Sequence, residues 1–163
     1  MLCNQLENNA YIKISRSGED LEMDSYGKLY TVGYAALEQI EPLQLFLSDK
    51  VLLIDIRYIP SSRWRPEWSR KRLHEKFAPN YQHIRELGNI NYHSSDLPIQ
   101  LVDAKRGVAK IVQLLQQGYD ICLLCTCADW KTCHRRIVAD LVEQELADIQ
   151  TVHLSNNDLC CLL

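Results

Sequence analysis

Apolar and polar positions along this chain switch between two spacings, and the switching predicts its elements. Val51-Leu52-Leu53-Ile54-Asp55-Ile56 is apolar almost without interruption, the pattern of a central strand covered on both faces. Lys28 to Tyr34, closing on Gly33, and Ile121 to Cys125, bounded by Gly118, read as two further buried strands. Ile90 to His93 and Gln150 to Leu154 complete a set of five. Between these runs the spacing turns helical. Leu37, Ile40, Leu43 and Leu47 line one side of 36–47, where Pro42 must either kink the helix or delay its start to about Glu41. Helices follow over 68–77 and over 80–87, the second stopped by Gly88 in the left-handed position beyond its end. Asp103 caps a helix over 104–117 with Val108, Ile111, Val112 and Leu115 inward and Gly118 as its stop. Thr132 offers an N-cap for the last helix, whose stripe is Ile137, Val138, Leu141, Val142 and Leu146.

Strands alternating with helices imply one α/β domain over 28–155. The expectation is a mostly parallel sheet of about five strands with helices on both faces, a Rossmann-like three-layer fold. Residues 1–27 are a polar extension with a short strand pattern at Tyr11-Ile12-Lys13-Ile14, and 156–163 is expected to be a tail. In such folds ligands bind at the carboxyl ends of the strands. Those ends are Gly33 and Tyr34, Asp55 and Arg57, His93, and Cys125 and Cys127.

Composition narrows the classes. A chain of 163 residues with 47% apolar and 24% charged content suits a single soluble domain. It has no apolar run near the roughly 20 residues that span a bilayer. No membrane association is expected, and an amino terminus without basic and apolar regions makes the cytoplasm the expected location. Seven cysteines are many, yet four fall within Cys122 to Cys133 and two are adjacent at Cys160 and Cys161, a spacing unlike a disulfide framework. The net charge of -3 hides an asymmetry. Eight basic residues stand against Glu67 and Glu75 between Arg57 and Arg85, whereas five acids and no Lys or Arg occupy the chain from Asp140 onward. One face made for anions is the implication.

The densest chemistry lies between the fourth strand and the last helix. That loop carries Cys125 and Cys127, and the helix opens with Cys133-His134-Arg135-Arg136. Backbone N–H groups and the helix dipole make this place attractive to anions. A helix N-terminus and nearby cations also lower a thiol pKa, so Cys133 or Cys125 is a candidate nucleophile or redox thiol. The alternative is a small apolar residue packed beneath the loop. Cys122 has the opposite strand parity to Cys125 and belongs to the core. His134 is either a general base or the holder of the turn. Arg135 would clamp a phosphate or carboxylate, or else pair with Asp55. Asp55, charged at the end of a buried strand, needs a partner and is a candidate base. Arg63 and Arg65, interleaved with Trp64 and Trp68, would stack bases and contact phosphates, or form a solvated face.

Thr31-Val32-Gly33-Tyr34, then Ile54-Asp55-Ile56-Arg57 with Pro60, Ser62, Arg63 and Pro66, then Leu124-Cys125 with Cys133-His134-Arg135 resemble the family called domain of unknown function 488, over about 29–146. The resemblance implies a compact α/β domain and supplies no activity. The chain departs from that pattern at Cys127, where the family usually carries an acid, and at Tyr34, where it has a small polar residue or histidine.

Three functions follow as expectations. The first is an enzyme that binds an anionic small molecule or nucleotide through Gly33, Tyr34, Arg57, Arg63 and Arg135. Its candidate catalytic residues are Cys125, Cys133, His134 and Asp55, carrying group transfer or hydrolysis. The second is a non-catalytic module for nucleotides or single-stranded nucleic acid. The third is a structural zinc domain: Cys125, Cys127, Cys133 and His134 are suitable donors. Their spacing is not that of paired knuckles, and adjacent Cys133 and His134 are unusual partners on one ion, so no metal ligand and no cofactor is assigned from the sequence. Asp55, Arg57, Cys125, His134 and Arg135 are expected to share one positively biased hollow.

Overall fold

A computed structural model describes residues 26–47 and 50–161. The extension pattern at 11–14 lies outside the described residues. Five strands, β1 (Leu29–Gly33), β2 (Val51–Asp55), β3 (Tyr81–His83), β4 (Asp120–Cys125) and β5 (Thr151–His153), form one sheet in the order β3-β2-β4-β1-β5. Every pairing is parallel. The helices are α1 (Glu41–Phe46), α2 (Arg70–Phe77), α3 (Ala104–Gln116), α4 (His134–Glu145) and α5 (Asn156–Cys160). This is the three-layer α/β architecture that the alternating pattern requires.

Side-chain alternation along each strand divides the core into two layers. On one face Ile54, Ile56, Ile121, Leu123 and Cys125 pack against Val108, Ile111 and Leu115 of α3 and Val138, Ala139 and Val142 of α4. On the other, Tyr30, Val32, Leu53, Cys122 and Leu124 meet Leu43 of α1, Leu73 and Phe77 of α2, Leu159 of α5 and Trp68. Strands β2, β4 and β1 have five consecutive buried residues each, as strands covered twice must.

Several expectations are corrected in detail. Pro42 delays its helix, sitting in the first turn of α1, where a missing N–H costs nothing. The helix expected over 80–87 is instead β3 followed by a 3-10 turn, Arg85–Leu87. Gly88 is not left-handed. Its φ is -73, and glycine is required because a Cβ would lie 2.5 Å from the Tyr58 Cα. Ile90 to His93 is not a strand but part of a turn, because the Asn89 side chain accepts from the N–H groups of both Asn91 and Gln100 and folds the segment back. His93 therefore does not stand at a strand end; its ring lies against Tyr92. Residues 156–160 are helical rather than tail, with Ser155 and Asp158 forming a capping box. Asp103 caps α3 as expected, accepting from the Arg106 N–H at 3.0 Å, and Gly118 adopts φ +82 just beyond it.

Candidate functional site: a buried thiol and imidazole cluster

Strand β4 ends at Cys125, the loop 126–133 doubles back, and α4 begins at His134. The helix starts one residue later than Thr132 capping predicts, so Cys133 is the N-cap. Its sulfur accepts the Arg135 N–H at 3.5 Å, a thiol in the place of the usual hydroxyl. This geometry turns Cys133 and His134 inward together, although they are adjacent in sequence. The Cys125 sulfur lies 3.6 Å from His134 Nδ1, and the Cys133 sulfur lies 3.9 Å from the same nitrogen. The Cys127 sulfur lies beside this group, 4.0 Å from that of Cys125. Donor atoms of Cys125, Cys133 and His134 all fall within 4.8 Å of one another.

Orientation of the imidazole follows from its other nitrogen. His134 Nε2 is 3.0 Å from the carbonyl oxygen of Ile56. A carbonyl can only accept, so Nε2 carries a proton, and in the neutral ring Nδ1 presents its lone pair to the two sulfurs. Cys125 and Cys133 are each 2% exposed and His134 7%, whereas Cys127 is exposed at the mouth.

The four groups share protons. The Cys127 thiol is pulled far below its usual range, first by the hydrogen bond from Cys125, then by that from Cys133 and by the charges of His134 and Arg135. Cys125 is pushed up to about 12, chiefly because its proton is shared with Cys127 while a bond with Cys133 opposes, with burial adding to the rise. Cys133 is pushed up for the same two reasons, its bonds to Cys125 and Cys127 and then its burial. Burial works to lower His134, but its contact with Cys133 and the bond to Ile56 raise it overall. An anionic thiolate at the mouth and a proton-loving ring beneath it make a cluster whose protons a cation could replace.

Arg135 does not pair with Asp55. Its guanidinium donates to the carbonyl oxygens of Cys127 and Ala128, fastening the loop to α4. Gly33 makes room for this: a Cβ there would come within 1.8 Å of the Cys127 oxygen and 2.2 Å of Arg135 Nη1. The register places Gly33 directly opposite Cys125. On the far side of the loop, Trp130 stacks on His153 at 3.7 Å, and His153 Nδ1 meets the Thr31 hydroxyl at 2.7 Å.

Asp55 and Arg57 form a second assembly, on the other face of the sheet. Arg57 grips Asp55 with Nε at 2.8 Å and Nη2 at 2.5 Å, and donates to the Trp68 carbonyl at 2.8 Å. The Tyr81 hydroxyl gives the carboxylate a further bond at 2.8 Å. Tyr34 stacks on Trp68 beneath the Arg57 guanidinium, and Arg57 is 4% exposed. The sheet thus does not bring the expected five residues into one hollow. Cys125, His134 and Arg135 gather on the α3–α4 side, and Asp55 and Arg57 are held against the opposite layer. Parity alone carries this, since Asp55 and Arg57 share a face with Leu53 while Cys125 shares one with Leu123.

Arg65 is a strut, donating to the carbonyls of Tyr34 and Leu37 and to Glu67. Arg63 lies over the ring of Trp64, which is 89% exposed, while Trp68 is fully buried. Tyr81 escaped sequence reasoning, although a buried Asp55 called for a second donor.

This arrangement defines a class: a three-layer α/β protein with a buried Cys/His cluster at the strand-to-helix loop of its central strand. The model for the family Domain of unknown function DUF488 matches residues 45–142, and the chain belongs to that family. No curated protein and no solved structure matches the chain. No helix among the described residues is long and apolar enough to cross a membrane.

Proposed function

We propose that this protein binds a soft divalent metal ion, zinc by chemistry, through Cys125, Cys127, Cys133 and His134. The carrying observation is the spacing of the donors. Zinc bonds of about 2.3 Å to sulfur and about 2.0 Å to nitrogen place the corners of a tetrahedron about 3.8 Å apart for two sulfurs and about 3.6 Å for sulfur and nitrogen. The separations of 3.6 and 3.9 Å from His134 Nδ1 to the sulfurs of Cys125 and Cys133 approach those edges. Cys127, 4.0 Å from Cys125, stands outside the group whose donors all lie within 4.8 Å of one another, so its loop must close inward to supply the fourth corner. The Ile56 carbonyl on the opposite nitrogen is the usual second support of a ligating histidine, fixing its tautomer and ring plane. With that loop closed, a set of four ligands suits a structural centre, one that ties the end of β4 to the start of α4.

The enzyme reading has weaker support. Its proposed anion clamps are engaged within the protein, Arg57 by Asp55 and Trp68, Arg135 by two loop carbonyls. Its candidate thiols, Cys125 and Cys133, are buried. Single-stranded nucleic acid remains a second reading on a separate observation: Trp64 is displayed to solvent beside Arg63, and a hollow of about 450 Å³ is lined by Arg70, Lys71 and His74.

Cobalt(II) titration of metal-free protein tests the metal reading. Intense visible absorption of tetrahedral, thiolate-bound cobalt, saturating at one ion per chain and displaced by zinc, supports it. A weak octahedral spectrum refutes it.

A further inference from the structure

We propose that Cys127 is a modification site for hydroperoxides, with Cys125 as its resolving thiol, so that oxidation closes a Cys125–Cys127 disulfide and discharges the metal ion. The inference rests on the metal reading for its consequence and on the thiol pair alone for its chemistry. Three thiols share one cluster, yet their access to solvent is unequal. Cys125 and Cys133 are buried, and Cys127 is exposed. A small oxidant arriving from solvent therefore meets the Cys127 sulfur first. The Cys125 sulfur lies 4.0 Å from it, and bond formation requires closing that gap to about 2.05 Å. The segment that must move is a single residue, Thr126, joining a strand end to a loop.

The chemistry balances with a hydroperoxide as oxidant. The Cys127 thiolate attacks one peroxide oxygen, the O–O bond breaks, and hydroxide leaves from hydrogen peroxide (an alcohol from an organic hydroperoxide), giving a sulfenic acid. The Cys125 sulfur then attacks the sulfenyl sulfur; the S–S bond forms, the S–O bond breaks, and the departing hydroxide takes the Cys125 proton and leaves as water (as hydroxide where the metal already holds Cys125 as thiolate). Two sulfurs have lost two electrons and two oxygens have gained them. The metal changes no oxidation state. It loses two of four ligands and keeps only Cys133 and His134, too few to hold a zinc ion.

Zinc-loaded full-length protein is treated with one equivalent of hydrogen peroxide, and two quantities are read in parallel. A chromogenic chelator reports released zinc, and peptide mapping under non-reducing conditions reports the bridge. Expected are a Cys125–Cys127 peptide, zinc release that follows its formation, and restoration of both thiols by dithiothreitol. In metal-free protein, Cys127→Ser should slow peroxide-driven oxidation of the cluster at least about tenfold by peptide mapping, because the other two cluster thiols, Cys125 and Cys133, are buried. A bridge from Cys127 to Cys133, over-oxidation of Cys127 without a bridge, or unslowed oxidation of Cys125 in Cys127→Ser would overturn the assignment. If the protein binds no zinc but the bridge forms, the modification site stands and the metal reading falls. If zinc stays bound while no bridge forms, the metal reading stands and this proposal falls.

Discussion

The Nε2–H of His134 donates to the carbonyl oxygen of Ile56 at 3.0 Å, across 78 residues of chain. That bond couples α4 to the end of β2 and fixes the tautomer of the ring. The free lone pair of Nδ1 then faces two sulfurs, and the chemistry of the whole site depends on it. His134→Gln keeps a polar group but not this geometry. It should weaken zinc binding at least tenfold, in line with the loss of a ligand and its support. Competition with a chelator of known affinity measures the change.

The two assemblies on opposite faces of the sheet should be separable. Arg57→Ala strands a buried Asp55 carboxylate and should cost about 3–5 kcal/mol of stability. Tyr81→Phe removes one bond to the same carboxylate and should cost about 1–2 kcal/mol. Both folded variants should retain the metal content of the parent. Urea unfolding with metal analysis of the folded fraction checks both halves of this expectation.

Gly33→Ala should disturb the thiol cluster itself. Its methyl group would press into the Cys127 carbonyl and the Arg135 guanidinium, and the contact with backbone cannot be relieved by turning a side chain. The loop must shift, carrying Cys127 away from Cys125. Zinc affinity should fall by more than stability does. Calorimetric zinc titration beside thermal unfolding makes the comparison.

Stability near neutral pH should carry a signature of His153. Burial first, and then the charge of Arg135, lower its pKa from 6.5. The folded state thus resists protonation more than the unfolded chain does. The stability that the neutral ring contributes is present above pH 6.5 and is lost as pH falls through the lowered folded value. His153→Gln should flatten this part of the stability profile, and Trp130 fluorescence should report it because that indole stacks on the ring.

The second reading predicts that a fluorescent oligothymidine binds at low salt and quenches tryptophan emission. Trp64→Ala should remove most of the quenching, and Arg70→Glu should lower affinity and the salt slope. Binding indifferent to both changes would dismiss that surface.

Much of this was legible in the sequence because burial writes itself into unbroken apolar runs. Residues 51–56 and 121–125 specified the two central strands, and Asp103 with Gly118 bounded α3. Strand β3 was not legible. Three residues, Tyr81-Gln82-His83, are too few to show a period, and their place is fixed by pairing with Leu53–Asp55. The cysteines of the site were visible as a cluster, but their convergence was not. Spacing rules assume that neighbours on a helix diverge, whereas Cys133 lies just outside the helix as its cap and His134 just inside. The separation of Asp55 and Arg57 from Cys125 was available from strand parity. It was obscured because all three stand at the same edge of the sheet.

Metal content of the protein purified without chelators, measured by mass spectrometry of the elements and compared with Cys133→Ser, addresses the central claim directly. The account predicts one zinc ion per chain in the parent and a large loss in the variant. A parent with no metal above background, and with the cluster's thiols all open to titration under native conditions, would contradict it.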